Sequence, residues 1–180
     1  MPYNPSMPTS SPYVALLVTA PVSRVEHALV RILDEAGYRR APGLAPTPEE
    51  HHLDPHLRSR RFFRLREMTP WTAILEHGCR EAQDYLLVGP LGALRLGRVL
   101  YAALSQDHAD GVLTLQVPGQ EPEELWLEAG VPVQDLTTLS HRGKPPMELL
   151  STWDAPASPP TFEEGQEPIQ AFLLQPTRQP

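Results

Sequence analysis

The stretch Trp71–Gly130, WTAILEHGCREAQDYLLVGPLGALRLGRVLYAALSQDHADGVLTLQVPGQEPEELWLEAG, decides how the chain is read, because most of its long apolar runs lie there. In order it reads as a strand to His77, a polar turn, a helix opened by Gly89-Pro90, and strands over Val112–Val117 and Leu125–Ala129. The helix is expected to run to about Ser105. Leu91, Leu94, Leu96, Val99, Leu100, Ala103 and Leu104 would then cover a wide face and require deep burial.

Upstream, Arg60–Glu67 reads as a strand joined to Trp71–His77 by Met68-Thr69-Pro70, a spacing short enough for a hairpin. The run YVALLVTA (13–20), bounded by Pro12 and Pro21, suits a buried strand. A helix follows it: Ser23 and Glu26 form a candidate capping box, Val25, Ala28, Leu29, Ile32, Leu33 and Ala36 keep helical spacing, and Gly37 supplies the stop. Residues 39–59 are loop-like, with a short helical turn expected at 47–53. Residues 133–139 and 169–174 are candidate edge strands.

The resulting order, β–α–β–β–α–β–β, predicts an α+β two-layer sandwich: a mostly antiparallel sheet of about five or six strands with two main helices. The first six elements match the ferredoxin-like split βαβ order. Pro makes up 22 of 180 residues and crowds both ends. The expected organisation is a disordered Pro-rich N-terminus (1–12), one α+β domain (13–140) and a Pro-rich C-terminal arm (141–180), partly docked or disordered.

Composition narrows the function classes. The net charge of −7 is unevenly spread, +2 over residues 1–100 and −9 over 101–180. An acidic second half disfavours nucleic acid as a partner, since the phosphate backbone would be repelled. The basic residues are almost all Arg, a bias that fits a GC-rich genome. A single Cys rules out an internal disulfide framework. No apolar run is long enough to span a bilayer, so a soluble, cytoplasmic protein without a membrane partner is expected.

The candidate sites are each incomplete. Glu49, Glu50, His51, His52, Asp54 and His56 are metal-ligand types in eight residues, but Pro55 breaks the helical spacing of His52 and His56. Arg58, Arg60, Arg61, Arg64 and Arg66 alternate with Phe62 and Phe63, as in sheets that grip phosphates and stack bases. The competing reading is an edge strand protected by charge, or one paired with Glu121, Glu123 and Glu124. Gly89-Pro90-Leu91-Gly92, with Arg95, Gly97 and Arg98 behind it, could seat an anion but lacks both nucleotide-loop patterns. His77 and Cys79 would need a third group to make a thiol nucleophile. Asp107, His108 and Asp110 fit turn chemistry.

Trp71 and Trp126 read as core or rim residues. Trp153, with Met147, Leu149 and Leu150, reads as a hook docking the C-terminal arm, or as an anchor for a partner. No cofactor is implied. The leading expectation is a non-enzymatic interaction module for a protein partner, with function placed at the borders of the 71–130 block. The alternatives are a nucleic-acid-associated protein using the 58–66 strand, and a small metal- or thiol-dependent enzyme.

Overall fold

The computed structural model describes residues 11–48, 54–128 and 144–176. His51 and His52, the 133–139 strand, and most of the N-terminal segment and of the 47–53 turn lie outside these residues. The elements are β1 (Tyr13–Val18), α1 (Val22–Glu35), β2 (Tyr38–Arg40), β3 (Arg60–Met68), β4 (Trp71–Glu76), α2 (Val88–Ala93), β5 (Val99–Leu104), β6 (Gly111–Gln116), β7 (Glu123–Leu127), α3 (Pro146–Thr152) and β8 (Gln170–Leu174). The strands form one sheet in the order β2-β8-β3-β4-β1-β5-β6-β7, and every neighbouring pair is antiparallel.

The fold is therefore α+β, with eight strands among the described residues where about five or six were expected. The difference begins at the 90–105 helix. Here α2 ends at Ala93, and 99–104 is a central strand paired to both β1 and β6. Arg95 takes a left-handed φ of 50°, which breaks the helix. Gly97 then passes so close to β1 that an added Cβ would meet the Thr19 carbonyl oxygen at 2.2 Å. The strand VLYAAL is apolar on both faces because both faces are covered, and periodicity cannot separate such a strand from a buried helix. With β5 in place, β1, α1, β3, β4, α2 and β5 follow in the spatial order β3-β4-β1-β5, the split βαβ arrangement. Its fourth strand is thus 99–104, not 112–117.

Both faces of the sheet are packed, so the expected two-layer sandwich is incomplete. Against one face, α1 contributes Val25, Ala28, Leu29, Ile32 and Leu33, and α2 contributes Val88 and Leu91. Each Val, Leu or Ile side chain among them contributes about 1.5–3 kcal/mol when fully buried. The α1 helix starts at Val22 with Pro21 as its cap residue, two residues before the expected cap Ser23 and without a side-chain cap, and Glu26 bonds Arg40 instead. Gly37 does end it, with φ +92°.

The C-terminal arm covers the other face. Leu149, Leu150, Trp153 and Phe162 join the core formed by Tyr13, Phe62, Trp71 and Leu100. Trp71 Nε1 donates to the Asp154 carbonyl (2.9 Å) and Tyr13 Oη to the Pro156 carbonyl (2.6 Å). The 169–174 segment was expected at an edge, yet β8 lies inside the sheet, between β2 and β3. Arg66 grips Glu167 with two hydrogen bonds, which hold that carboxylate below its usual range. This contact is fully present above the ordinary Glu range and fades as pH falls through the lowered value.

Trp153→Ala should cost about 3–5 kcal/mol, because it empties the largest apolar contact of the arm. Urea unfolding checks this. An unchanged midpoint would show that docking of the arm adds nothing to stability.

Candidate functional site

Alternation along β3 places Phe63 and Leu65 on the helix-covered face and Phe62 on the arm-covered face. Arg61 shares the face of Phe63. Across the hairpin Phe63 pairs with Glu76, so Arg61 is a diagonal neighbour of that carboxylate. Arg61 Nε and Nη2 each bond one Glu76 oxygen at 2.7 Å, and Nη2 also reaches Asp84 Oδ2 at 3.0 Å. All three side chains are buried, Arg61 to 3% exposure. The guanidinium also lies 5.7 Å and 5.1 Å from the Tyr38 and Phe63 ring centres.

Burial works against the Arg61 charge, but hydrogen bonding and attraction from Glu76, with Asp84, hold its pKa above the ordinary value. Burial pushes the Glu76 carboxyl upward, and Arg61 opposes it. The network extends to the loop that follows β4. Gln83 Oε1 accepts from Glu76 N (3.3 Å), Tyr101 Oη donates to the Gln83 carbonyl (3.1 Å), and Asp84 Oδ1 accepts from Leu86 N (3.0 Å). Buried Arg58 donates to the His77 carbonyl at 2.5 Å. The loop 77–84 is thereby fixed from below by charge and from its end by a turn.

Two clefts flank this loop and share Gly78, Cys79, Arg80 and Gln83. The first, about 880 Å³, runs between the loop and the 54–58 segment, with Asp54, His56 and Arg58 on one wall and Asp84, Tyr85 and Leu86 on the other. The second, about 290 Å³, is more enclosed and lies between the loop, the start of β1 and the arm. Two exposed apolar side chains line the first cleft, Leu86 at 60% exposure and Tyr85 at 43%. Tyr85 Oη donates to Glu124 on β7 (3.0 Å), and two residues along that strand Trp126 is 56% exposed.

The residues singled out in the sequence are distributed as follows. Of the arginine strand, Arg61 binds Glu76 and Asp84, while Arg64 donates to the Phe162 and Gly165 carbonyls and lies over the Phe162 ring. Arg66 binds Glu167, and Phe62 and Phe63 are core residues. The acids that answer these arginines are thus Glu76, Asp84 and Glu167, not the 121–124 loop. Arg60 sits at the start of β3, opposite Leu173. Trp153 is buried where the arm meets the sheet, and Trp71 in the core. Gly92 packs on Gln116, whose amide would lie 2.1 Å from an added Cβ, so close packing accounts for that glycine. Asp107 and Asp110 close a turn with Ser105, and His108 bonds the Ser11 carbonyl.

His77 lies between the Phe62 and Phe162 rings, centroids at 6.3 Å and 5.2 Å. Burial pushes the Cys79 thiol up to about 12, so it is protonated at neutral pH, the opposite of an activated nucleophile. Among the described residues no three His, Cys, Asp or Glu side chains group to hold a metal, and no helix is long and apolar enough to cross a membrane. No family model matches the chain, and no curated protein or solved structure is similar to it.

Two measurements test this geometry. Arg61→Met should cost about 3–5 kcal/mol, since it strands two buried carboxylates, and adding Glu76→Gln should return part of that loss. A cost below about 1 kcal/mol in urea unfolding would mean that the network is hydrated. Cys79 should react slowly with iodoacetamide at pH 8, where about one thiol in ten thousand is ionised, and faster as pH approaches 12. Rapid alkylation at pH 8 in folded protein would contradict the burial of the thiol.

Proposed function

We infer that this chain is a non-enzymatic interaction module whose partner is a protein, bound at the rim of the first cleft and along β7. The observation that carries the reading is the exposure of Trp126 and Leu86 beside Tyr85. Large apolar side chains gathered on one surface mark association sites, and Trp and Tyr are the residues that most often dominate binding energy there. Tyr85 is held in place by Glu124 and by its edge-on contact with Tyr101, 5.1 Å between centroids. A preordered aromatic side chain costs little to immobilise on binding.

Two further features support a binding role over catalysis. The buried charges satisfy one another, and the thiol at the cleft is neutral, so the cleft offers no activated nucleophile or base from these groups. The alternative nucleic-acid reading draws on the arginines of β3, of which Arg61, Arg64 and Arg66 already have acceptors inside the protein.

The test is affinity capture with the full chain, with and without nuclease, comparing wild type with Trp126→Ser and Leu86→Ser. A protein recovered by wild type in both conditions and reduced about tenfold or more by each substitution is the expected result. Capture that disappears with nuclease, or is unchanged in both variants at equal thermal stability, refutes this assignment.

A further inference from the structure

Helix α1 sorts its charges onto different sides. Each of its three acids bonds an arginine: Glu26 with Arg40, Asp34 with Arg39 and Glu35 with Arg31. Arg24, His27 and Arg31 follow one another at i, i+3 and i+7, a single stripe of the helix, and all three are exposed. Among the described residues the side chains of Arg24 and His27 make no hydrogen bond or ion pair. The Arg31–Glu35 pair is about two-thirds exposed on both sides, so it holds Arg31 only weakly.

This stripe forms one wall of a groove of about 380 Å³, with Ala28 beneath it and Leu94 and Leu96, just past α2, opposite. The groove shares no residue with the two clefts that flank the 77–84 loop. The stretch 86–98 carries no Asp or Glu and places exposed Arg95 between the two leucines. A chain of net charge −7 thus presents here a cationic rim over an apolar floor.

That combination selects the occupant. Arg24 and Arg31 stand about 10 Å apart along the helix axis, so a ligand with separated anionic groups and apolar surface between them matches better than a lone ion. Nucleic acid offers repeated anions, but the acidic second half of the chain repels a polyanion, and phosphates make no use of Leu94 and Leu96. A peptide with a few carboxylates meets less repulsion and uses both features, since Arg pairs with carboxylates in a directional fork.

We propose that this groove docks an acidic amphipathic helix of a partner protein, one carboxylate against Arg24, another against Arg31, and aliphatic side chains laid on Leu94 and Leu96. Acids seven residues apart, with leucines three and four residues on, give the matching face. The groove is cationic and the strand around Trp126 is acidic, so this surface takes a segment of opposite charge from the one bound there.

The probe is a synthetic helical peptide of Ala, Leu and Glu, with Glu at seven-residue spacing and Leu between, titrated into the full chain and followed by amide NMR. Saturable shifts centred on His27, Arg31 and Leu96 are expected, with affinity falling as salt rises. Arg24→Glu lies in the first turn of α1, where an acid suits the helix, and should weaken binding about fivefold or more. Arg39→Glu makes the same change in net charge at the β2 edge of the sheet and should change affinity less than about twofold. Replacing the peptide's leucines by serine should weaken it about tenfold or more. The proposal is overturned by no shifts at these amides at millimolar peptide, by equal losses in Arg24→Glu and Arg39→Glu, or by undiminished binding of the serine peptide. An oligothymidylate bound at the same amides as tightly as the peptide, or loss of the peptide shifts in Trp126→Ser, also overturns it.

Discussion

A guanidinium buried beneath a sheet cannot be left alone, and that constraint on Arg61 organises one end of the molecule. An unpaired ion there would carry a penalty of several kcal/mol. Its two carboxylates come from different places: Glu76 from the adjacent strand and Asp84 from a loop. The first fixes the hairpin's diagonal packing. The second pulls the loop 77–84 onto the sheet end, where Gln83 and Tyr101 lock it. Both clefts exist because that loop stands between them. Their shape is thus a consequence of satisfying charge, and the satisfied charge then takes little further part in their chemistry.

A second constraint comes from the arm. Since β2 pairs only with β8 among the described strands, one edge of the sheet forms when residues far apart in the chain meet. The Pro-rich composition does not oppose this. Prolines occupy the stretches between anchors, where no ladder hydrogen bond is needed, while Trp153, Phe162, Ala171 and Phe172 supply the buried contacts. Arg64 and Arg66 add directional bonds from β3 to the same segment. The arginine-rich strand therefore serves as a clasp on both faces: Arg61 holds the loop and Arg64 and Arg66 hold the arm.

These relations explain what could be read in advance. The hairpin was legible, because a two-residue turn sets Met68 opposite Trp71 and alternation then brings Glu76 opposite Phe63, within diagonal reach of Arg61. The α1 stripe was legible for the same local reason. VLYAAL was misread because a strand covered on both faces loses its alternation, and an adjoining Leu-rich helix extended the apparent pattern through Gly97. The insertion of β8 and the arrival of Asp84 depend on long-range packing, which no local spacing encodes. The block 71–130 supplies four strands of the sheet, and the candidate site does border it, yet 5 of the 14 residues lining the first cleft and 8 of the 13 lining the second lie outside it.

The charge asymmetry of the chain acts on a different scale from this site. The acidic excess of the second half includes Glu121, Glu123, Glu124 and Glu128 around β7, beside Trp126. Charges at a solvated rim steer encounter and set its salt dependence, while affinity at the centre of an interface comes from desolvated apolar anchors. The second cleft is lined differently, by Pro12, Pro159, Pro160 and Phe162 beside Arg80, Gln83 and Glu163. Two clefts thus lie on either side of one loop, and an internal ion pair holds that loop in place.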